Sequence, residues 1–135
     1  MKHIKLFEEY LNENISDDVY WRLVGGGQFG GAAITRNNEP KRGDTVSSAF
    51  ATPNIKSISA MIDYCLEEGE NEETGKPIKI TDMCVLKIKT SNARTPNPWE
   101  KVMNWDESDE GEVFIEKGKV IEVITAKDFV DTIYS

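Results

Sequence analysis

Two glutamates, Glu110 and Glu112, are the residues of this chain best suited to chemistry, and they open the apolar run Val113-Phe114-Ile115. Residues two apart on a β-strand point to the same face, so a strand beginning at or before Glu110 projects both carboxylates into one space. Paired carboxylates serve general acid/base work and stabilise an electrophilic sugar carbon. Held close together, they push their pKa values apart, which suits one base and one charged stabiliser. A solvated acidic turn ahead of a hairpin is the plain alternative for the same residues. Arg22 is the next candidate. It stands inside Val19-Tyr20-Trp21-Arg22-Leu23-Val24, a strand by its β-branched and aromatic content. An arginine there is costly unless it meets an anion or a carboxylate, or faces solvent.

Composition removes several other chemistries. His3 is the only histidine of the 135 residues, so a histidine-based zinc site or a Ser-His-Asp triad is not expected. Catalysis must then run on carboxylates, hydroxyls, arginine or a bound cofactor. Asp106, Ser108, Glu110 and Gly111 match the start of a calcium loop, but its twelfth place is Lys117 and no helix pattern flanks it, so no metal is expected. The glycine-rich run Gly25 to Gly31 lacks the Gly-Lys-Ser/Thr end of a phosphate-binding loop and reads as a flexible or close-approach segment. A net charge of −8 argues against nucleic acid as the main ligand and suits a basic protein partner. Cys65 and Cys84 suit free thiols in a reducing cytosol. No stretch has the apolar length of a membrane span, and the charged start MKHIKLFEEYLNE does not read as a secretory signal. A cytoplasmic protein without a membrane partner is the expectation.

The elements that must hold these residues are legible in outline. Residues 2–13 carry Ile4, Phe7 and Leu11 at helical spacing and predict an amphipathic N-terminal helix, separate from a single domain over 18–135. Thr45 to Thr52 reads as a strand interleaved with hydroxyls. Thr52-Pro53-Asn54 then starts a helix over about 54–68, whose apolar stripe is Ile55, Ile58, Ile62 and Leu66. Ala32 to Ile34 reads as a short strand. Ile78 to Thr90 contains Met83 to Ile88, apolar enough for a central strand. Runs at 112–115 and 119–125, with a turn at Lys117-Gly118 between them, predict an antiparallel hairpin. A last helix from Ala126 is capped by Thr125. The fold class is α+β: two small antiparallel-rich β-sheets around a cleft, with the helices packed on them.

Three features stand in order: Arg22 in an early aromatic strand, a hydroxyl-rich strand leading into a helix, and Glu110-x-Glu112 opening a late strand. This order resembles the arginine, Ser-Thr-Ser, Glu-x-Glu arrangement of the ADP-ribosyltransferases related to bacterial toxins and phage enzymes. Ala49-Phe50-Ala51-Thr52-Pro53 takes the place of the family's Phe-x-Ser-Thr-Ser, and Glu110-Gly111-Glu112-Val113-Phe114-Ile115 that of its Glu-x-Glu-Val-Leu-Leu. The middle motif departs from the family, with Thr52 keeping its hydroxyl and Ser47 and Ser48 lying early. Leu23, not glycine, follows the arginine.

The resemblance implies an NAD-binding cleft and a mono-ADP-ribosyltransferase, with NAD as substrate and a host protein, modified at arginine, as target. Arg22 would clamp the diphosphate of NAD, with Phe50, Thr52 and Ser48 on the same cofactor wall and Thr52 or Ser48 steadying Glu112. Glu112 would stabilise the oxocarbenium-like transition state, Glu110 would orient or deprotonate the acceptor, and Trp105 would touch the target protein. Residues 1–13 resemble the targeting segments of tailed-phage proteins, which implies carriage in a capsid before release into the host cytoplasm. The alternative is a catalytically silent phage virion or inhibitor protein that uses the same fold as an acidic binding surface.

Overall fold

The computed structural model describes residues 19–27, 33–71, 74–97 and 112–134. The fold is α+β. Strands β1 (Val19–Val24), β2 (Thr45–Ala51), β3 (Cys84–Lys89), β4 (Ala93–Arg94) and β5 (Val113–Thr125) join helices α1 (Ile55–Glu68) and α2 (Ala126–Tyr134). The strands form one sheet in the order β1-β3-β5-β2, and β4 pairs with β5. All pairings are antiparallel. The two expected sheets are therefore one among the described residues. It is strongly curled, because β1 and β2, its two ends, meet at a bridge between Trp21 and Thr52. The backbone bonds there are 2.8 Å from Trp21 N–H to the Thr52 carbonyl and 2.9 Å in return.

The curl explains two apolar clusters with opposite linings. Alternation along β1 sends Trp21 and Leu23 to one face and Tyr20 and Val24 to the other. On the first face Trp21, Leu23 and Val85 pack against Ile58, Ile62 and Cys65 of α1 and Phe129 of α2. On the second, Ala51, Leu86, Ile88, Ile115 and Val120 pack on one another, strand against strand, inside the curl. Among the described residues, no helix contributes to that inner cluster's buried residues.

Lys117-Gly118 is not a hairpin turn. β5 runs without a break from Val113 to Thr125, pairing with β2 and β4 over its first half and with β3 over its second. The apolar runs on either side looked like two strands because a glycine between them imitates a turn. What glycine supplies here is room: a Cβ at Gly118 would stand 2.7 Å from Cγ2 of Ile88 and 3.2 Å from Cγ2 of Ile115.

The helix limits follow the expected local chemistry. Asn54 caps α1, its side chain accepting from the backbone N–H of Lys56 at 3.1 Å, and Thr52 Oγ1 accepts from Asn54 N–H at 3.0 Å. Thr125 Oγ1 accepts from Asp128 N–H at 3.2 Å at the start of α2. The strand expected from Ile78 is shorter, since a turn of 3-10 helix occupies Ile80–Asp82 first. Ala33 and Ile34 lie in no strand, although Ile34 N–H reaches the Asp82 carbonyl. Gly25 and Gly27 bear out the close-approach reading. Both have positive φ, and a Cβ on either would fall within 2.3 Å of a backbone oxygen, of Asp82 and Glu70 respectively. The expected helix over residues 2–13 lies outside the described residues.

Candidate functional site

Arg22, Thr52 and Glu112 lie on or beside the seam where β1 meets β2. Thr52 is bridged to Trp21, and paired residues in antiparallel strands project to the same face. Ala51 pairs with Val113 across β2 and β5, so Thr52 and Glu112 each stand one residue beyond that last registered pair. Arg22 follows Trp21 in the chain. Past the Trp21–Thr52 bridge the two strands make no further ladder, and the Arg22 side chain takes over, its Nη1 donating to the Phe50 carbonyl at 2.8 Å. Glu112 is 7% exposed. Burial lowers the pKa of the Arg22 guanidinium, and the nearby Glu112 carboxylate opposes that shift. Arg22 and Glu112, far apart in sequence, lie close enough to act on each other, whereas Thr52, paired with Trp21, projects to the face of the sheet opposite Arg22.

Phe50 extends the site along the outside of β2 and β5. Its ring meets that of Phe114 edge-on, with centroids 5.5 Å apart. Arg94, registered opposite Phe114 on β4, lays its guanidinium 4.7 Å from the Phe114 centroid and bonds through Nε to Glu116 Oε1 at 2.9 Å. Arg94 sits in a proline-rich stretch with no local pattern to flag it. Only the pairing of β4 with β5 brings it beside Phe114.

Ser48 is elsewhere. It is exposed, with φ +54° in the middle of β2. Val46 packs against the inner cluster and Ala51 belongs to it, although strict alternation would set them on opposite faces. The left-handed Ser48 resolves this by turning the strand at a corner, so its structural part is to bend β2. Glu110 and Trp105 lie outside the described residues, as does the start of the acidic run. The strand begins at Val113, after both glutamates.

Lys87 is the second residue that sequence patterning missed. It lies in the expected strand but is 1% exposed, with its ammonium 5.3 Å from the ring centroid of Trp21, its partner in register. Burial brings its pKa down to about 8, against the attraction of Glu122. Its position inside the first core fits a packed structural cation beneath Trp21. Among the described residues no helix is long and apolar enough to cross a membrane.

No family model, curated protein or solved structure matches this chain.

Proposed function

We propose that the protein is a mono-ADP-ribosyltransferase that cleaves NAD and transfers ADP-ribose to an arginine of a basic host protein. The nearness of Arg22 to the buried Glu112 at the end of the β1–β2 seam carries this reading. Where two strands part, an extended ligand can lie along backbone groups that no ladder occupies. Arg22 meets the diphosphate with charge-assisted hydrogen bonds, and Phe50 supplies an aromatic wall. Thr52, already accepting from Asn54 N–H, keeps its own hydroxyl proton to donate to the carboxylate. Glu112 stabilises positive charge on the ribose as neutral nicotinamide departs, and its burial beside one cation strengthens that interaction. Glu110 serves the acceptor.

The test separates the glutamates. Glu112→Gln should lower nicotinamide release by on the order of a hundredfold or more while NAD binding changes little, because the lost interaction belongs to the transition state. Glu110→Gln should abolish transfer to arginine yet leave slow NAD hydrolysis. Equal loss of both activities in both variants would show the division of roles to be wrong.

One observation favours a second reading. Arg22 already spends Nη1 on the Phe50 carbonyl, as a residue that only closes the seam would. A catalytically silent virion or inhibitor protein of this fold would then present its acidic surface to a partner, and wild-type protein would neither bind nor cleave NAD.

A further inference from the structure

We propose that the helix-bearing face of the sheet docks a second copy of this chain, the lysines of each copy meeting an acidic stripe on α1 of the other. The inference is independent of the transferase reading. It turns on charges that lie apart in the sequence and that the strand pairing gathers.

The lysines are Lys89, Lys117 and Lys119. Lys89 of β3 stands directly opposite Lys119 of β5, and residues paired in this way project to one face. Lys117 is two residues from Lys119 on the same strand and shares that face. All three are exposed, and among the described residues none of their ammonium groups has an ion pair or hydrogen bond. The neighbouring carboxylates are engaged elsewhere. Glu122 faces the buried Lys87, Glu116 bonds Arg94, and Asp44 accepts from the backbone N–H of Lys41. Like charges set directly across a ladder are destabilising, and an anionic neighbour offsets that cost. In a chain of net charge −8 these lysines form a local positive patch.

α1 supplies the neighbour. Opposite its buried Ile58, Ile62 and Cys65, the helix exposes Ala60, Asp63, Tyr64 and Glu67 at i, i+3, i+4, i+7. Tyr64 and Leu66 are the exposed large hydrophobic residues among those described, at 44% and 37%. This side of the helix therefore sets apolar area beside two carboxylates. Asp63 and Glu67, four apart on a helix, lie about 6 Å from each other. Alternate positions on a strand are about 7 Å apart, a close match. The lysine stems can lie along Tyr64 while their ammonium groups reach the acids.

Patch and helix belong to the same face of the sheet. α1 packs over Trp21, Leu23 and Val85, and register puts Trp21 opposite Lys87, two residues from Lys89. A two-fold axis then brings each copy's α1 over the other's lysines, so one contact is made twice. A helix is about 10 Å across, and the inverted α1 of a second copy fills the step beside the first. An acidic peptide would satisfy the lysines yet leave Tyr64 and Leu66 in water, which favours the second copy.

Sedimentation equilibrium of the full chain over a range of concentrations reads the association. Wild type should dimerise, several-fold more weakly when salt rises from about 0.05 M to about 0.5 M. Reversing the patch (Lys89→Glu with Lys119→Glu) or the stripe (Asp63→Lys with Glu67→Lys) should raise the dissociation constant roughly tenfold or more. Mixed together, the two reversed chains should restore the dimer, since opposite charges then meet at both contacts. The neutral pair Lys89→Gln with Lys119→Gln, which relieves the like-charge contact, should raise the urea midpoint of dilute monomer while weakening the dimer. Wild type that stays monomeric at low salt would overturn the proposal, as would a dimer that every variant keeps. Monomer that binds a poly-glutamate peptide through these lysines would also overturn it, and would assign the patch to an acidic protein instead.

Discussion

Lys87 and Arg22 show how the same sheet handles two buried cations by different means. Burial lowers the pKa of both; Arg22 bonds a backbone carbonyl and is opposed in that shift by Glu112, whereas Lys87 lies over an indole in the first core and its pKa comes down to about 8. That drop has a consequence for stability. The unfolded chain holds the Lys87 proton up to about its ordinary lysine value, while the folded protein releases it near pH 8. Between those points the unfolded state binds more protons, so stability rises with pH. The gain should reach about 1 kcal/mol over the first unit above pH 8. Burial pushes Cys84 up to about 11, so above about pH 9 its thiol acts with the opposite sign, ionising first in the unfolded chain. Urea midpoints at pH 7.5 and 9 for wild type and Lys87→Met isolate the lysine. The variant should lose the rise, and an unchanged slope would show that Lys87 does not titrate in this window.

Single positions become important at the level of strands through close approach. Gly118 lets β5 pass over the inner core with Ile88, Ile115 and Thr90 all in contact range. Gly118→Ala puts a methyl 2.7 Å from Ile88 Cγ2, and overpacking of this kind costs about 1–3 kcal/mol. A chemical denaturation midpoint measures it directly. A change under a few tenths of a kcal/mol would mean that Ile88 swings aside and that the close approach does not depend on glycine. The turn between β2 and α1 depends on side-chain hydrogen bonds instead. Thr52 and Asn54 satisfy successive N–H groups there, which ties the candidate site's threonine to the start of a helix.

For the molecule as a whole, the Trp21–Thr52 bridge is the joint that turns a flat sheet into a curled one. Its two backbone bonds are isolated from any ladder, yet Trp21 and Thr52 are both buried. Amides whose opening requires global unfolding exchange slowest. If the joint opens only with the whole fold, the amides of Trp21 and Thr52 should exchange as slowly as those of β3. Ligand entry by parting of the seam would instead make these two amides exchange faster, with protection restored when NAD is added.

Much of the fold is local and was therefore readable along the chain. α1, α2 and their caps follow from 3.6-residue spacing and from single side chains bonding backbone groups within a few positions. β1, β2 and β3 follow from composition and alternation. Arg22, Thr52 and Glu112 could be singled out because their residue types are unusual in their settings. Other features depend on partners distant in sequence, which no local pattern encodes. Gly118 looks like a turn until the strand on its far side is known, and Ser48 looks like a site hydroxyl until the corner of β2 is seen. Arg94 has no signal at all in its proline-rich stretch, because its meaning comes from pairing with a strand that begins nearly twenty residues later. The closure of β1 on β2 is likewise tertiary, since one bridge and one arginine–carbonyl bond replace a ladder there. Short-range chemistry chose the elements, and long-range packing chose which of their side chains would meet.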